Sequence, residues 1–244
     1  VKEWENERRN SIGGSDMAVL LGLNHFGRTK RELFYDKTGV EPIVSDEDGY
    51  KSIIFNSGHF LEEMVAALRR HKKAFSCQAK MIQFHDRDRM DDAGNYYCAL
   101  GWAFARGKGK DIDRYEKEQK IFSTCAGAAI YRKKVLERIG EFDEEHFAYL
   151  EDLDIGYRAR IQGYENWYAP KAKVYHVGSG TSGSRYNQFK IRYSSRNNIY
   201  LIYKNMPFLQ IVLNMPFFIV GFGAKILFFA SKGFGREYLA GIKN

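Results

Sequence analysis

Glu151, Asp152 and Asp154 crowd into the segment EDLDIGYRARIQG, whose pattern predicts a helix ending at Gly163. Carboxylates in a first helical turn are favourable on dipole grounds alone, so capping is one reading of the cluster. The other reading is catalytic. A carboxylate aimed into a cleft can take the proton from an acceptor hydroxyl, and the freed oxygen can attack a sugar's anomeric carbon. That reaction expels a diphosphate, whose charge calls for a divalent metal held by carboxylate or imidazole ligands. His176 ends the strand-like KAKVYH, and the loop GSGTSGS follows at once. A loop of that composition lets backbone N–H groups approach phosphate closely. Arg185, Lys190, Arg192 and Arg196 come next.

Several elements must position these groups. Phe60, Leu61, Met64, Val65 and Leu68 fall at helical spacing in HFLEEMVAALRRHKK, which predicts an amphipathic helix. KMIQF (80–84), YYCAL (96–100), WYAP and KAKVYHV read as strands. ARGKGKDIDRYEKEQK (105–120) reads as a charged loop, RKKVLERIG (132–140) as a helix, and residues 186–206 as a basic, aromatic helix. Phe208–Ala230 is apolar and long enough to span a bilayer, but Pro216, Gly221, Gly223 and Lys225 interrupt it. A kinked span, a re-entrant segment and an interfacial helix are all compatible with it, as is a helical pair buried in a larger core. Lys204, Lys225, Lys232, Arg236 and Lys243 face only Glu237, which suits anionic headgroups.

The 244 residues carry a net charge of +8, a balance that fits phosphate-bearing partners without choosing among nucleic acid, sugar nucleotide and membrane. Cys77, Cys98 and Cys125 are odd in number and lack C-x-x-C spacing, which argues against a disulfide framework or a cysteine zinc site and for a reducing environment. The polar opening VKEWENERRN reads as no secretory signal. Asp86-Arg-Asp88, Asp111-Ile-Asp113 and Asp152-Leu-Asp154 all satisfy D-x-D as text, and the first reads as a surface loop. His25, His59 and His71 have no matching ligand partners, and Tyr157, Tyr164, Trp167 and Tyr168 offer either sugar stacking or packing.

CAGAAIYRKKVLERIGEFDEEHFAYLEDLDIGYRARIQGYENWYAPKAKVYH resembles the second half of family 2 glycosyltransferases, especially rhamnosyltransferase-like members. The resemblance covers residues 78–244 and continues through SSRNNIYLIYKNMP. It implies that Asp152 is the catalytic base, with Glu151 as the neighbour that shares or replaces it. It implies His176 as a metal ligand, a divalent Mg or Mn cofactor, and Cys125–Ala129 lining the acceptor pocket. Arg185 and Arg196 are then candidate contacts to a nucleotide-sugar donor. The family's upstream VSVIIPxYN strand and metal-holding D-x-D are not found before this stretch, so a chain lacking the donor-binding half, with impaired activity, is expected.

RRNSIGGSDMAVLLGLNHFGRTKRELFYDKTG (8–39) and GHFLEEMVA (58–66) are similar to YqaJ-like phage recombinases, relatives of lambda exonuclease. The E-x-K pair such nucleases need is not found, so Ser15, Asp16 and Glu62 are read as structural, with DNA kept as a partner of this segment. The expected fold is α/β. A small, mainly helical segment (1–72) precedes a partial GT-A-type sheet (78–206) and membrane-contacting helices (207–244). The expected function is inverting sugar transfer from a nucleotide-sugar to a glycan or lipid-linked acceptor, at the cytoplasmic face of the membrane. The alternatives are a recombinase or exonuclease DNA-binding fragment and an inactive fusion product.

Overall fold

The computed structural model describes residues 61–177 and 186–243. Expectations for Ser15, Asp16, the N-terminal helices, the GSGTSGS loop and Arg185 lie outside the described residues. The described residues belong to one compact unit, Phe55–Asn244.

The unit is built on a buried strand, β1 (Ala74–Gln83). It pairs in parallel with β7 (Glu165–His176), from Cys77 opposite Trp167 to Gln83 opposite His176. β2 (Met90–Asp92) and β6 (Ala129–Tyr131) run antiparallel to β1, and β5 (Gln119–Ile121) antiparallel to β7. β3 (Asn95–Cys98) and β4 (Trp102–Ala105) form a separate hairpin. The helices are α1 (61–70), α2 (Lys133–Ile139), α3 (Glu151–Ile161), α4 (Gln188–Asn205), α5 (Phe208–Ser231) and α6 (Gly235–Lys243). This mixed α/β sheet fits the GT-A-type expectation.

Two apolar layers hold the sheet. Met64 and Ala67 of α1 pack on Cys77, Ala79, Ala169 and Ala172. Phe75 meets Val135, Ile139, Ile155 and Ala159, which fixes α2 and α3 against β1. Full burial of each such side chain contributes about 1.5–3 kcal/mol. Glu62 lies on the exposed side of α1.

β1 starts at Ala74, earlier than KMIQF suggests, because the polar residues Ser76, Gln78 and Lys80 break the apolar pattern of its first half. All three are buried and partnered. Ser76 donates to Asn166 Oδ1 at 2.7 Å, Gln78 donates to Asp92, and Lys80 donates to the Ile112 carbonyl at 2.5 Å and to Glu116. WYAP and KAKVYHV are one strand, not two. The register slips between Ala79/Lys80 and their partners Ala169/Lys173, and Pro170, which has no N–H for the ladder, sits in that slip. Asp86 and Asp88 lie in an exposed turn, as expected.

Gly156 lets α3 lie flush on the sheet. A Cβ there would overlap the Ser123 side chain and stand 3.0 Å from its Cα. Gly156→Ala is expected to lower unfolding stability by ~1–3 kcal/mol through overpacking, read from denaturant melts.

Candidate active site

The site begins in strained backbone. Phe147, Tyr149 and Leu150 have φ of 54°, 70° and 66° immediately before α3. The left-handed region costs a non-glycine residue on the order of 1 kcal/mol, so the surroundings must impose it. α4 does so. Asn197 Nδ2 donates to the carbonyls of His146, Ala148 and Tyr149 at 2.7, 2.8 and 2.8 Å. Arg196 donates to the Glu145 carbonyl at 2.5 Å, and Asn198 donates to the Gly101 carbonyl at 2.6 Å. Leu150 supplies no side-chain cap, so the acids that follow are not part of an ordinary capping motif.

This turn delivers Asp152 to the segment Cys125–Gly127. The Ala126 N–H donates to Asp152 Oδ2 at 3.2 Å. Burial, and then the charge of Glu151, raise the Asp152 carboxyl from the usual range to about 7. Burial also raises Glu151, and its Oε2 is enclosed without a hydrogen-bond partner among the described residues.

The opposite wall comes from β1, β2 and the end of β7. Gln78 Oε1 accepts from the Cys125 N–H at 2.6 Å, and Gln78 Nε2 donates to Asp92 Oδ1 at 2.9 Å. The Gly94 N–H donates to the same Asp92 oxygen at 2.6 Å. Asp91 lies 2.7 Å from His176 Nδ1 and accepts from Lys108 Nζ at 2.7 Å. Burial alone would raise Asp91, but hydrogen bonds from His176 and Lys108 outweigh it and hold the carboxyl below its usual range. Burial dominates at Asp92 and raises it. His176 Nε2 faces Gly127, where a Cβ would stand 3.9 Å from it and 3.3 Å from Met81 Cε. Asp152 and His176 therefore address the same short turn, and Gly127 keeps it open. Burial, with the charges of Asp152 and Asp92, pushes the Cys125 thiol up, so it is neutral and no nucleophile. At the rim, Lys190 lies 5.7 Å from the Tyr149 ring centroid; burial and then the Lys108 charge lower its ammonium.

A metal does not fit the residues gathered here. His176 offers one nitrogen, while both Asp91 oxygens are engaged by His176 and Lys108. Among the described residues the one three-donor group is Asp143, His146 and Asp154. Its cation is already present as Lys204, whose Nζ donates to Asp143 and, at 3.0 Å, to Asp154. Asp154 Oδ2 also accepts from Arg158 at 2.9 Å, and its Oδ1 from Asn205 at 2.7 Å.

Of the residues expected at the site, Asp152, Glu151 and His176 lie around it, and Arg196 is seated on Glu145. The aromatics near α3 and β7 are largely packing: Trp167 stacks on His71 at 3.4 Å, and buried Tyr168 donates to the Tyr115 carbonyl at 3.0 Å. Sequence reasoning missed Gln78, Asp91, Asp92, Lys108 and Asn197. The adjacent acids in MDDAG, ahead of a turn glycine, were the available signal for two of them.

A family model described as glycosyltransferase like family 2 matches residues 52–197, which include every described site residue named above except Asn198, Lys204 and Asn205. The chain belongs to this family. The family 2 match begins upstream of the junction expected near residues 72–80 and takes in α1. The N-acetylglucosaminyl-diphospho-decaprenol L-rhamnosyltransferase of two Mycobacterium tuberculosis strains is 31% identical over 94 residues, 37% of this chain and 31% of that protein. The uncharacterized protein YqaJ of Bacillus subtilis is 45% identical over 64 residues, 26% of this chain and 18% of that protein. The chain thus spans less than a third of the length of either relative.

Proposed function

We propose that this family 2 chain carries the acceptor-side chemistry of an inverting transferase that moves a hexose or deoxyhexose from a nucleotide-sugar to a lipid-linked or glycan acceptor. One observation carries the reading: a carboxyl raised to about 7, Asp152, stands against the same turn as the His176–Asp91 pair. A carboxylate of that basicity is matched to accept a hydroxyl proton near neutral pH. Glu151 disfavours a second negative charge beside it and so keeps Asp152 basic. Lys108 and Lys190 supply positive charge at the rim for a diphosphate, and Arg196 follows Lys190 on α4. The lipid-linked substrate in the name of the mycobacterial relative favours an acceptor of that class. Apolar α5 favours action at a membrane surface, and the reading places the chain at its cytoplasmic face.

Because the upstream donor-binding strand and D-x-D are not found in the sequence, donor affinity of this chain is expected to be weak. Titration calorimetry with UDP- and dTDP-sugars plus Mn²⁺ should show no binding tighter than roughly millimolar. A low-micromolar constant would overturn the idea that the donor half is missing. A second reading, binding of DNA by the N-terminal segment, rests on the match to YqaJ. Binding of linear duplex that weakens steeply with salt would support it, and salt-independent or absent binding would remove it.

A further inference from the structure

The sequence leaves open whether the apolar helix crosses the bilayer. α5 has 24 residues, about 36 Å of helix, and so is long enough to span. Its packing speaks against that. A single stripe faces the protein along the helix. Phe218 is buried with Ile202 and Met206, and the Gly221 carbonyl accepts from the Trp102 indole at 3.0 Å. A Cβ on Gly221 would overlap the Leu100 carbonyl oxygen, so the β3–β4 turn seats directly on the helix backbone. Lys225 lies 5.5 Å from the Trp102 ring centroid, and Phe229 stacks on Tyr238 of α6 at 5.0 Å.

The opposite stripe is free. Leu209, Leu213, Val220 and Leu227 recur at helical spacing and are 68%, 66%, 65% and 73% exposed. Lys225, the charged residue of this helix, lies on the protein side. Lys232, Arg236 and Lys243 follow, exposed and without an ion pair among the described residues. A helix backed by folded polar protein cannot stand upright in hydrocarbon without taking that protein with it. Resting on the membrane-surface reading above, we infer that α5 lies in the plane of one leaflet. Its Leu209–Leu227 stripe is sunk to the headgroup–acyl boundary, and the basic residues after it meet anionic headgroups.

The test uses the full chain on mixed phosphatidylglycerol–phosphatidylcholine vesicles. Cys98 and Cys125 are replaced by serine, while Cys77 is buried and stays. Spin labels are placed through Leu213→Cys, Val220→Cys and Leu227→Cys, and their depth is read from relaxation by oxygen and by a nickel chelate. An in-plane helix gives one shallow depth for all three labels. A span puts the Val220 label roughly 10 Å deeper than the other two and separates those by about 21 Å along the helix. Either span signature overturns the inference. Phe208→Cys and Ser231→Cys should both react with an impermeant maleimide added outside, and protection of one alone would also overturn it. Failure to float with vesicles would instead remove the membrane-surface reading itself. Labels shielded only at high protein concentration, without lipid, would mean that a second copy covers the stripe.

Discussion

Asp152→Asn is expected to abolish sugar transfer and, above pH 7, to make the protein more stable. The two effects have one origin. The folded protein raises this carboxyl from 3.8 to about 7, chiefly through burial. Folding therefore favours the protonated form. The contribution to stability is complete below about pH 4, falls as the pH rises toward 7, and is gone above it. At pH 8 the wild-type protein holds a carboxylate where an ion is disfavoured, and asparagine removes that burden. The side chain is partly solvated, so the gain is on the order of 1–2 kcal/mol, or a few degrees in Tm. At pH 4 wild type and variant should melt nearly together, and the gap should widen as the pH rises to 7. In any transfer assay the variant should lose ~10²–10⁴-fold in kcat, and the acid limb of the wild-type pH profile should fall near 7. A variant that keeps its activity would remove Asp152 as the base. Equal melting differences at pH 4 and pH 8 would mean that the carboxyl does not titrate as described.

Asp154→Ala should do the reverse, unfolding the protein without touching the reacting groups. Asp154 is fully buried, and its two oxygens are shared among Arg158, Lys204 and Asn205. Removing it leaves Arg158 and Lys204 close together with only Asp143 and backbone carbonyls to offset them. Breaking a buried pair in this way costs about 3–5 kcal/mol. Lys204→Met should be of similar size, since it strands Asp154 and Asp143 together. Asp143 is already held at about 2, against the opposing effect of burial, by Lys204, the Glu145 N–H and Tyr200. Its contribution to stability is present above about pH 4 and is lost as the pH falls toward 2. Denaturant melts read all three effects. A chelator should leave the wild-type midpoint unchanged, because the cation in this cluster is the ammonium of Lys204. A midpoint that drops with chelator would make the cluster a metal site after all.

How much of this was legible depended on sequence distance. The helix of Glu151–Ile161, the strand ending at His176 and the apolar helix of Phe208–Ser231 carry their own periodicity, and the sequence places them closely. Their neighbours are another matter. Ser76 and Gln78 fall outside the expected strand, and Lys80 only opens it, because nothing nearby shows that Asn166, Asp92 and Glu116 will satisfy them. Lys108 reads as part of a solvated basic loop until the fold brings Asp91 to it. Asn197 reads as an ordinary polar helix residue, yet it grips carbonyls of residues 146–149. Pro170 made one strand look like two because a missing N–H is a local signal and a register slip is not. α6 falls inside the helical tail expected over 207–244, although its own boundaries carry no clear signal.

The left-handed turn ahead of Glu151 has a consequence for biosynthesis. Among the described residues the amide of Asn197 clamps that backbone. On the ribosome the residues of the turn emerge long before their clamp, and until α4 has left the tunnel and docked they have no reason to hold that shape. Asp152 therefore comes into position only when the apolar helix is about to emerge. A nascent chain would thus set the Asp152 turn shortly before it releases the helix that could meet a lipid surface.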